Sequence, residues 1–142
     1  MGTRANIKLK NFGEEPLYLY RHWDGYLEET GFDLLKTLLD CNRLVKGIVP
    51  MKDFRNTLIS KKDYKAVDEK MGGTEFFYEF TFMKNGVHFW SCEVDWMSDA
   101  LGKFVEGTYI TKDDNLQNIV EHLHSKEMKE AIANHLEVRM AV

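Results

Sequence analysis

The sequence predicts an α+β domain in which helices pack on an antiparallel sheet. Two stretches, residues 3–23 and 76–96, indicate the sheet because each holds two strand-like segments around a turn signal. A third stretch, residues 32–46, indicates a helix because its apolar residues recur at spacings of three and four. At 142 residues the chain is expected to form a single domain over residues 1–142. The expected sheet has two hairpins plus a fifth strand, packed by one central helix and a C-terminal helical segment.

The first hairpin is predicted from a short alternating segment and the strand that follows it. Residues 3–10 alternate between apolar and polar side chains, which is typical of a strand with one face toward the core. Asn-Phe-Gly at 11–13 is a turn signal, and residues 17–23 resume a strand. Asp24-Gly25 is expected to end that strand in a turn.

The central helix is predicted over residues 32–46. Thr30 or Asp33 is the expected N-cap, and Gly47 is the expected end. Residues 48–73 carry weaker patterns, and we expect a loop with short helical turns there. The apolar stripe of the helix consists of Phe32, Leu35, Leu38, Leu39 and Val45.

The second hairpin is predicted around Asn85-Gly86, a strong two-residue turn signal. Both of its faces carry apolar and aromatic residues, whereas an antiparallel hairpin normally keeps one face toward water. A helix layer on each side, a subunit interface or a stacking ligand would each account for this surplus. A two-residue turn would place Phe82 opposite Phe89, Phe80 opposite Ser91, and Tyr78 opposite Glu93.

The last part of the chain predicts one more strand and a helical end. Residues 103–110 have the composition of a strand. An apolar stripe then runs from Leu116 to Leu136, and Ser125 interrupts it. We expect one long or broken C-terminal helix.

Composition argues against several classes of function. The net charge of −4 gives no basic footprint, so we expect no binding to a DNA or RNA polymer. No run approaches the roughly 18 apolar residues of a membrane span, so no membrane association is expected. Two cysteines without a disulfide or CxxC pattern are typical of a reducing cytoplasm.

The motifs of common enzymes and cofactor sites are missing from the sequence. It contains no GxxxxGK[ST], GxGxxG or GxSxG pattern, and no cofactor is indicated. His122 and His124 are two apart on a predicted helix and point to different sides, which does not favour a metal site. Glu93, Asp95 and Asp99 could act as general acids or bases. The structural alternative is that they edge a strand and cap the next turn.

Arginines and aromatic residues are concentrated in the first hairpin. Arg4 and Arg21 lie on its two predicted strands, and arginine suits bidentate phosphate contacts. The rings beside Arg21 could receive a base or a ribose, as in nucleotide pockets. The alternative is a buried strand with a solvated Arg21 and an ordinary Asp-Gly turn. These neighbouring rings are Tyr20, His22, Trp23 and Tyr26.

Two segments of this hairpin, TRANI at 3–7 and YRHWDGY at 20–26, carry a family resemblance. They resemble the N-terminal signature of the Thoeris anti-defence proteins of the first type. That family consists of phage proteins that bind and sequester a cyclic ADP-ribose isomer made by the host. The resemblance covers about the first quarter of the chain. It departs from the family pattern at Leu27, where a proline is expected after the turn.

The resemblance implies a compact α/β domain that acts as a homo-oligomer in the host bacterial cytoplasm. Its partner would be a cyclic nucleotide signalling molecule, held without degradation. Arg4 and Arg21 would contact the pyrophosphate. The base or ribose would contact Tyr20, His22, Trp23 and Tyr26, with Asp24 in the same segment.

The second hairpin has its own place in this interpretation, and two other functions stay open. Phe82 and Phe89 would form either the platform for adenine or the contact between subunits.

One alternative is a small nucleotide-processing enzyme that uses His22, Asp24 and the acidic cluster at 93–95. The other is a protein-binding or structural phage subunit that docks through the aromatic hairpin face.

Overall fold

The computed structural model describes residues 3–141, with side chains described for residues 3–137. It shows an α+β fold, as predicted, with a six-stranded sheet in the order β3-β2-β1-β4-β5-β6. The strands are β1 (Ala5–Asn11), β2 (Leu17–Arg21), β3 (Lys65–Val67), β4 (Phe76–Phe82), β5 (Val87–Val94) and β6 (Leu101–Ile110). The helices are α1 (Phe32–Val45), α2 (Met51–Ser60), α3 (Leu116–Ile119) and α4 (Lys126–Ala141).

The sheet is mixed, which corrects the prediction of an antiparallel sheet. The two hairpins β1–β2 and β4–β5 are joined through β1 and β4, and these central strands run parallel. Ile7 lies opposite Tyr78 and Leu9 opposite Phe80, so the pairing gathers four buried side chains on one face. Local alternation identifies each hairpin but says nothing about which strands dock together, and this is why the orientation was missed.

A helix and a strand occupy the region predicted to be a loop with short helical turns. Within residues 48–73, the ten residues of α2 follow Pro50, and β3 adds a sixth strand beside β2. Phe54 and Leu58 of α2 are fully buried, and the Phe54 ring lies 5.2 Å from that of Phe80. With only one buried residue per turn, the apolar stripe was too sparse to predict a helix.

The second hairpin has a different register from the predicted one. Phe80, not Phe82, lies opposite Phe89, and Phe82 lies opposite Val87. The connection spans four residues, closed by the Met83 N–H donating to the Gly86 carbonyl at 2.8 Å. A type I′ turn needs positive φ at both central residues, and neither Asn85 nor Gly86 adopts it. The shift is two residues, so every side chain keeps its predicted face.

The central helix begins at the predicted residue and ends one residue earlier than predicted, and its caps differ from the prediction. A π-helical turn, Leu27–Gly31, leads into α1, and Lys46 ends it in a left-handed conformation with φ 55°. Neither proposed N-cap serves that role. Thr30 donates to the Asp24 carbonyl, and Asp33 accepts from side chains outside the helix.

The C-terminal helical segment is broken, one of the two predicted forms. A 3₁₀ turn, Val120–His122, follows α3, and α4 begins after Ser125, whose hydroxyl accepts from the Met128 N–H at 3.1 Å. The break is held by the buried carboxylate of Glu106 on β6, which accepts from the His124 and Ser125 N–H groups. The fifth predicted strand is present as the longer β6.

The helices cover one face of the sheet. Odd-numbered positions of β1 and even-numbered positions of β4 point into this core together with Leu34, Leu38 and Met128 of the helices. On the opposite face the segment 68–74 lies over only part of the sheet, where Asn6 exchanges hydrogen bonds with the Met71 backbone at 2.7 and 3.0 Å. Within residues 3–141, no helix combines the length and the apolar character needed to cross a bilayer.

Candidate functional site

The turn at the end of β2 is anchored by the backbone of Gly25. Its N–H donates to the Thr3 carbonyl at 2.8 Å, and its carbonyl accepts from the buried Tyr78 hydroxyl at 2.7 Å. A Cβ at this position would lie 2.9 Å from both the Arg4 carbonyl carbon and the Thr3 oxygen. Only glycine allows this approach, so the glycine of the Asp-Gly pair has a structural role.

Asp24 completes the turn in a left-handed conformation with φ 56°. Its carbonyl accepts from the Thr30 hydroxyl at 2.6 Å, which ties the turn to the start of the helical region. The residues just before it project outward. Trp23 is 58% exposed, and its ring meets the His22 ring edge-on at 4.8 Å. The Tyr20 hydroxyl lies 3.0 Å from His22 Nδ1, so the three rings form one connected group.

These rings form one wall of a cleft of about 390 Å³. The opposite wall is the segment between α2 and β3, because β3 pairs with β2 and places Lys65 opposite Tyr20. Lys62 and Lys65 contribute two ammonium groups, and within residues 3–137 neither forms a salt bridge. The cleft is lined by Tyr20, Arg21, His22, Trp23, Asp24, Lys62, Asp63 and Lys65.

The two lysines were missed by sequence reasoning. The stretch around Lys61-Lys62 indicated only a solvated region, since nothing in its pattern predicted that the next residues would pair with β2. The apolar residues Tyr64, Ala66 and Val67 were the available signal, and the three residues of β3 are too few to predict a strand.

Arg21 lies in the cleft, but its guanidinium already interacts with Tyr64 and Asp33. Its guanidinium donates to the Tyr64 hydroxyl at 3.0 Å and lies 3.8 Å from the Asp33 carboxylate. The Tyr64 hydroxyl donates to the same carboxylate at 2.7 Å, and Lys61 pairs with it at 3.0 Å. Burial, followed by the charge of Asp33, raises the pKa of the Tyr64 phenol far above its usual range.

This network joins both walls of the cleft to α1. Arg21 belongs to the β2 wall, Lys61 and Tyr64 belong to the α2–β3 wall, and Asp33 holds both from the first turn of α1. We therefore assign Arg21 a positioning role in the single chain. The accessible cations of the cleft are Lys62 and Lys65.

Arg4 lies in a different place from Arg21. Ala5 is the residue opposite Arg21 across β1 and β2, so Arg4 points to the other face of the sheet. There it lines a separate cavity of about 540 Å³ together with Gly73, Glu75, Trp96 and Met97. Because side chains alternate between the two faces of a sheet, Arg4 and Arg21 lie on opposite faces, although the sequence predicted that they would act together.

Three further candidates lie outside the cleft. Tyr26 is partly exposed and packs edge-on against Phe76 at 6.2 Å. Phe82 and Phe89 face the helix layer and are buried, with Phe82 5.9 Å from Phe54. In the single chain these two phenylalanines belong to the core and present no surface to a ligand.

The acidic residues after β5 serve the turn between β5 and β6. Asp95 accepts from the Met97 N–H at 3.0 Å, and Asp99 accepts from the Gly73 N–H at 3.1 Å. These contacts favour the structural interpretation of this cluster over general acid–base chemistry. In the part of the chain that the structure describes, no group of His, Cys, Asp or Glu side chains is arranged to hold a metal ion.

Comparison with known proteins adds no assignment to this geometry. The chain has no significant match among family models, curated proteins or solved structures. The case for a function therefore depends on the cleft and on the residues that line it.

Proposed function

We propose that this chain is a phage-encoded immune evasion protein that binds and sequesters a cyclic ADP-ribose-type or related cyclic nucleotide signal without degrading it. The observation that carries the proposal is the cleft itself. Five of the nine residues singled out by sequence line it: Tyr20, Arg21, His22, Trp23 and Asp24. The fold adds Lys62 and Lys65, which form no salt bridge within residues 3–137, beside the carboxylates of Asp24 and Asp63 in the same cleft. Both ammonium groups are therefore available to an anionic ligand.

The groups in the cleft suit the parts of such a ligand. Lys62 and Lys65 are placed for the pyrophosphate, and the exposed ring of Trp23 for the base. Tyr20 and His22 offer hydrogen-bonding edges for ribose hydroxyls. The volume of about 390 Å³ lies within the range of small-molecule sites, about 300–1,000 Å³.

The proposal includes a homo-oligomer in the host bacterial cytoplasm. A protein that removes a signal by binding must hold it at about nanomolar Kd, which requires roughly 12 kcal/mol. The exposed ring of Trp23 leaves one side of the cleft open in a single chain. A second copy placed over this ring would exclude water and enclose the ligand.

The test is a catch-and-release assay with purified protein. Cyclic ADP-ribose isomers and cyclic oligonucleotides are incubated with the chain, free ligand is removed by filtration, and the protein is heated. The proposal expects one compound to be depleted and then to return unchanged on chromatography. Return of an altered compound would show a nucleotide-processing enzyme instead. If every compound stays free, the protein-binding or structural alternative replaces the proposal.

A matched pair of variants locates the site in the same assay. Lys62→Ala with Lys65→Ala removes both free cations of the cleft, and we expect capture to fall at least about tenfold. Lys52→Ala with Lys129→Ala removes the same charge from exposed positions on α2 and α4, and should leave capture unchanged. Equal loss in both double variants would mean that general charge, not the cleft, attracts the ligand.

A further inference from the structure

The face of the sheet opposite the helices carries a surface that the cleft does not use. Two adjacent rows of side chains cross it. One row runs Tyr18–Lys8–Glu79–Trp90 over strands β2, β1, β4 and β5. The next runs Lys10–Thr81–His88–Tyr109 over β1, β4, β5 and β6. We call these eight positions the open face; the segment 68–74 contacts the neighbouring row, which contains Asn6 and Phe77.

The open face is cationic although the whole chain is acidic. Lys8 is half-buried and Lys10 is exposed on this face, and within residues 3–137 no salt bridge involves either lysine. Its one acidic residue, Glu79, is 9% exposed and accepts the Trp90 indole N–H at 2.5 Å. Two lysines and one glutamate give the eight positions a small positive balance, whereas the whole chain carries a net charge of −4.

Aromatic rings are interleaved with these cations. Tyr18 and Trp90 are half-buried in one row, and Tyr109 is exposed in the other. The bond to Glu79 fixes the Trp90 ring in place, and the Lys8 ammonium lies 5.7 Å from the Tyr18 ring centre. Tyr18 and Trp90 stand three strands apart, which is roughly 14 Å at the usual strand spacing. That distance suits two bases of one extended strand.

The open face continues into a cavity of about 510 Å³ at the end of β1 and β4. Lys10 and Thr81 belong to both surfaces. Beyond them the cavity is lined by Phe12, which is 99% exposed, and by Lys84. A fully exposed phenylalanine beside two lysines extends the same combination of ring and cation past the sheet edge.

We propose that the open face and the cavity at the end of β1 and β4 together bind a short single-stranded nucleic acid. The bases would lie on Tyr18, Trp90, Tyr109 and Phe12, and the phosphates on Lys8, Lys10 and Lys84. Sheet faces with ring and cation side chains recognise single strands in this way, since every base has a ring face. A second copy of the chain fits less well, because face-to-face pairing would bring the same lysines together. The expectation that the chain binds no DNA or RNA polymer was based on net charge alone. The fold places Lys8 and Lys10 on one face of the sheet, which net charge does not reveal. This inference is independent of the cleft and of the proposed function.

The test measures fluorescence anisotropy of a labelled oligouridylate and a labelled oligothymidylate of about eight nucleotides, within the usual site size. We expect saturable binding at about 50 mM salt, with log K falling against log salt at a slope near −2 for three lysine contacts. Lys8→Glu with Lys10→Glu should weaken binding at least about tenfold. Lys52→Glu with Lys129→Glu makes the same change of net charge on the helix layer and should leave binding within about twofold.

A second pair of variants tests the rings without risk to the core. Phe12→Ser and Tyr109→Ser alter exposed side chains, and each should weaken binding about tenfold while leaving affinity for inorganic polyphosphate unchanged. Absence of saturable binding to both oligonucleotides overturns the inference. Equal weakening in the two lysine double variants, or equal affinity for duplex DNA, also overturns it, because either result would show general electrostatic attraction. Folding of every variant is checked by its unfolding midpoint.

Discussion

The Tyr64 hydroxyl donates a 2.7 Å hydrogen bond to the Asp33 carboxylate, which also lies 3.8 Å from the Arg21 guanidinium. This contact joins the segment after α2 to the first turn of α1 and brings both walls of the cleft to one carboxylate. The cleft therefore depends on residues that are 43 positions apart in the chain, as the Arg21–Tyr64 hydrogen bond shows.

The raised pKa of Tyr64 predicts a loss of stability in alkali. Its pKa in the folded protein lies above the unfolded value of about 10, so the stabilisation is complete below about pH 10 and is lost as the pH rises further. Tyr64→Phe should reduce this alkaline loss, each buried phenol accounting for about 1.4 kcal/mol per pH unit. Urea unfolding at about pH 9 and about pH 11 measures the difference. Tyr18→Phe, on the open face, is the control and should leave the alkaline loss unchanged.

Substitutions of Arg21 and of Trp23 should distinguish a residue that positions the walls of the cleft from one that contacts the ligand. Arg21→Ala removes the guanidinium that donates to the buried Tyr64 hydroxyl and leaves the half-buried Asp33 carboxylate paired with Lys61 alone among the described side chains, and we expect a loss of about 1–3 kcal/mol in the free energy of unfolding. Trp23→Ala removes an exposed ring and should change stability by less than about 0.5 kcal/mol. The same variant should weaken capture of the cyclic nucleotide about tenfold. A stable Arg21→Ala protein with normal capture would contradict the positioning role.

Gly25 should tolerate no side chain. Gly25→Ala places a methyl group 2.9 Å from backbone atoms of Thr3 and Arg4, which can relax only by moving β1, and we expect a loss of about 1–3 kcal/mol. Gly47→Ala is the matched control, since nothing lies within 4 Å of its added Cβ. Thermal unfolding of the two variants gives the comparison, and a Gly25→Ala midpoint equal to that of Gly47→Ala would contradict the close approach.

Glu106 should be essential for the start of α4. Its fully buried carboxylate accepts from the N–H groups of Gly107, His124 and Ser125, so Glu106→Ala leaves buried donors unpaired. We expect a loss of at least about 2–3 kcal/mol. Glu121→Ala changes an exposed carboxylate in the preceding turn and should have an effect below about 0.5 kcal/mol. Hydrogen exchange at residues 126–132 gives a local measure, since amides of α4 should exchange faster only in the Glu106 variant.

The local spacing of apolar residues was sufficient to predict part of the fold. The two hairpins, α1 and the broken C-terminal segment follow from periods of two and 3.6, which a short window of sequence contains. The Asp-Gly pair correctly predicted the end of the first hairpin, although β2 already ends at Arg21 and contacts with Thr3, Tyr78 and Thr30 hold the two residues in place. The segment at 20–24 was identified as a ligand-binding candidate because its aromatic and charged residues adjoin in sequence.

Tertiary structure decided which of these residues meet. The parallel pairing of β1 with β4 and the docking of β3 on β2 join residues far apart in the chain, so no local pattern encodes them. That docking places Lys65 opposite Tyr20, which makes the cleft. The strand register sends Arg4 and Arg21 to opposite faces. The sequence alone determined which aromatic and charged side chains the protein has at residues 20–24, and the long-range pairing of strands decided what they face, because burial of the core selects that pairing.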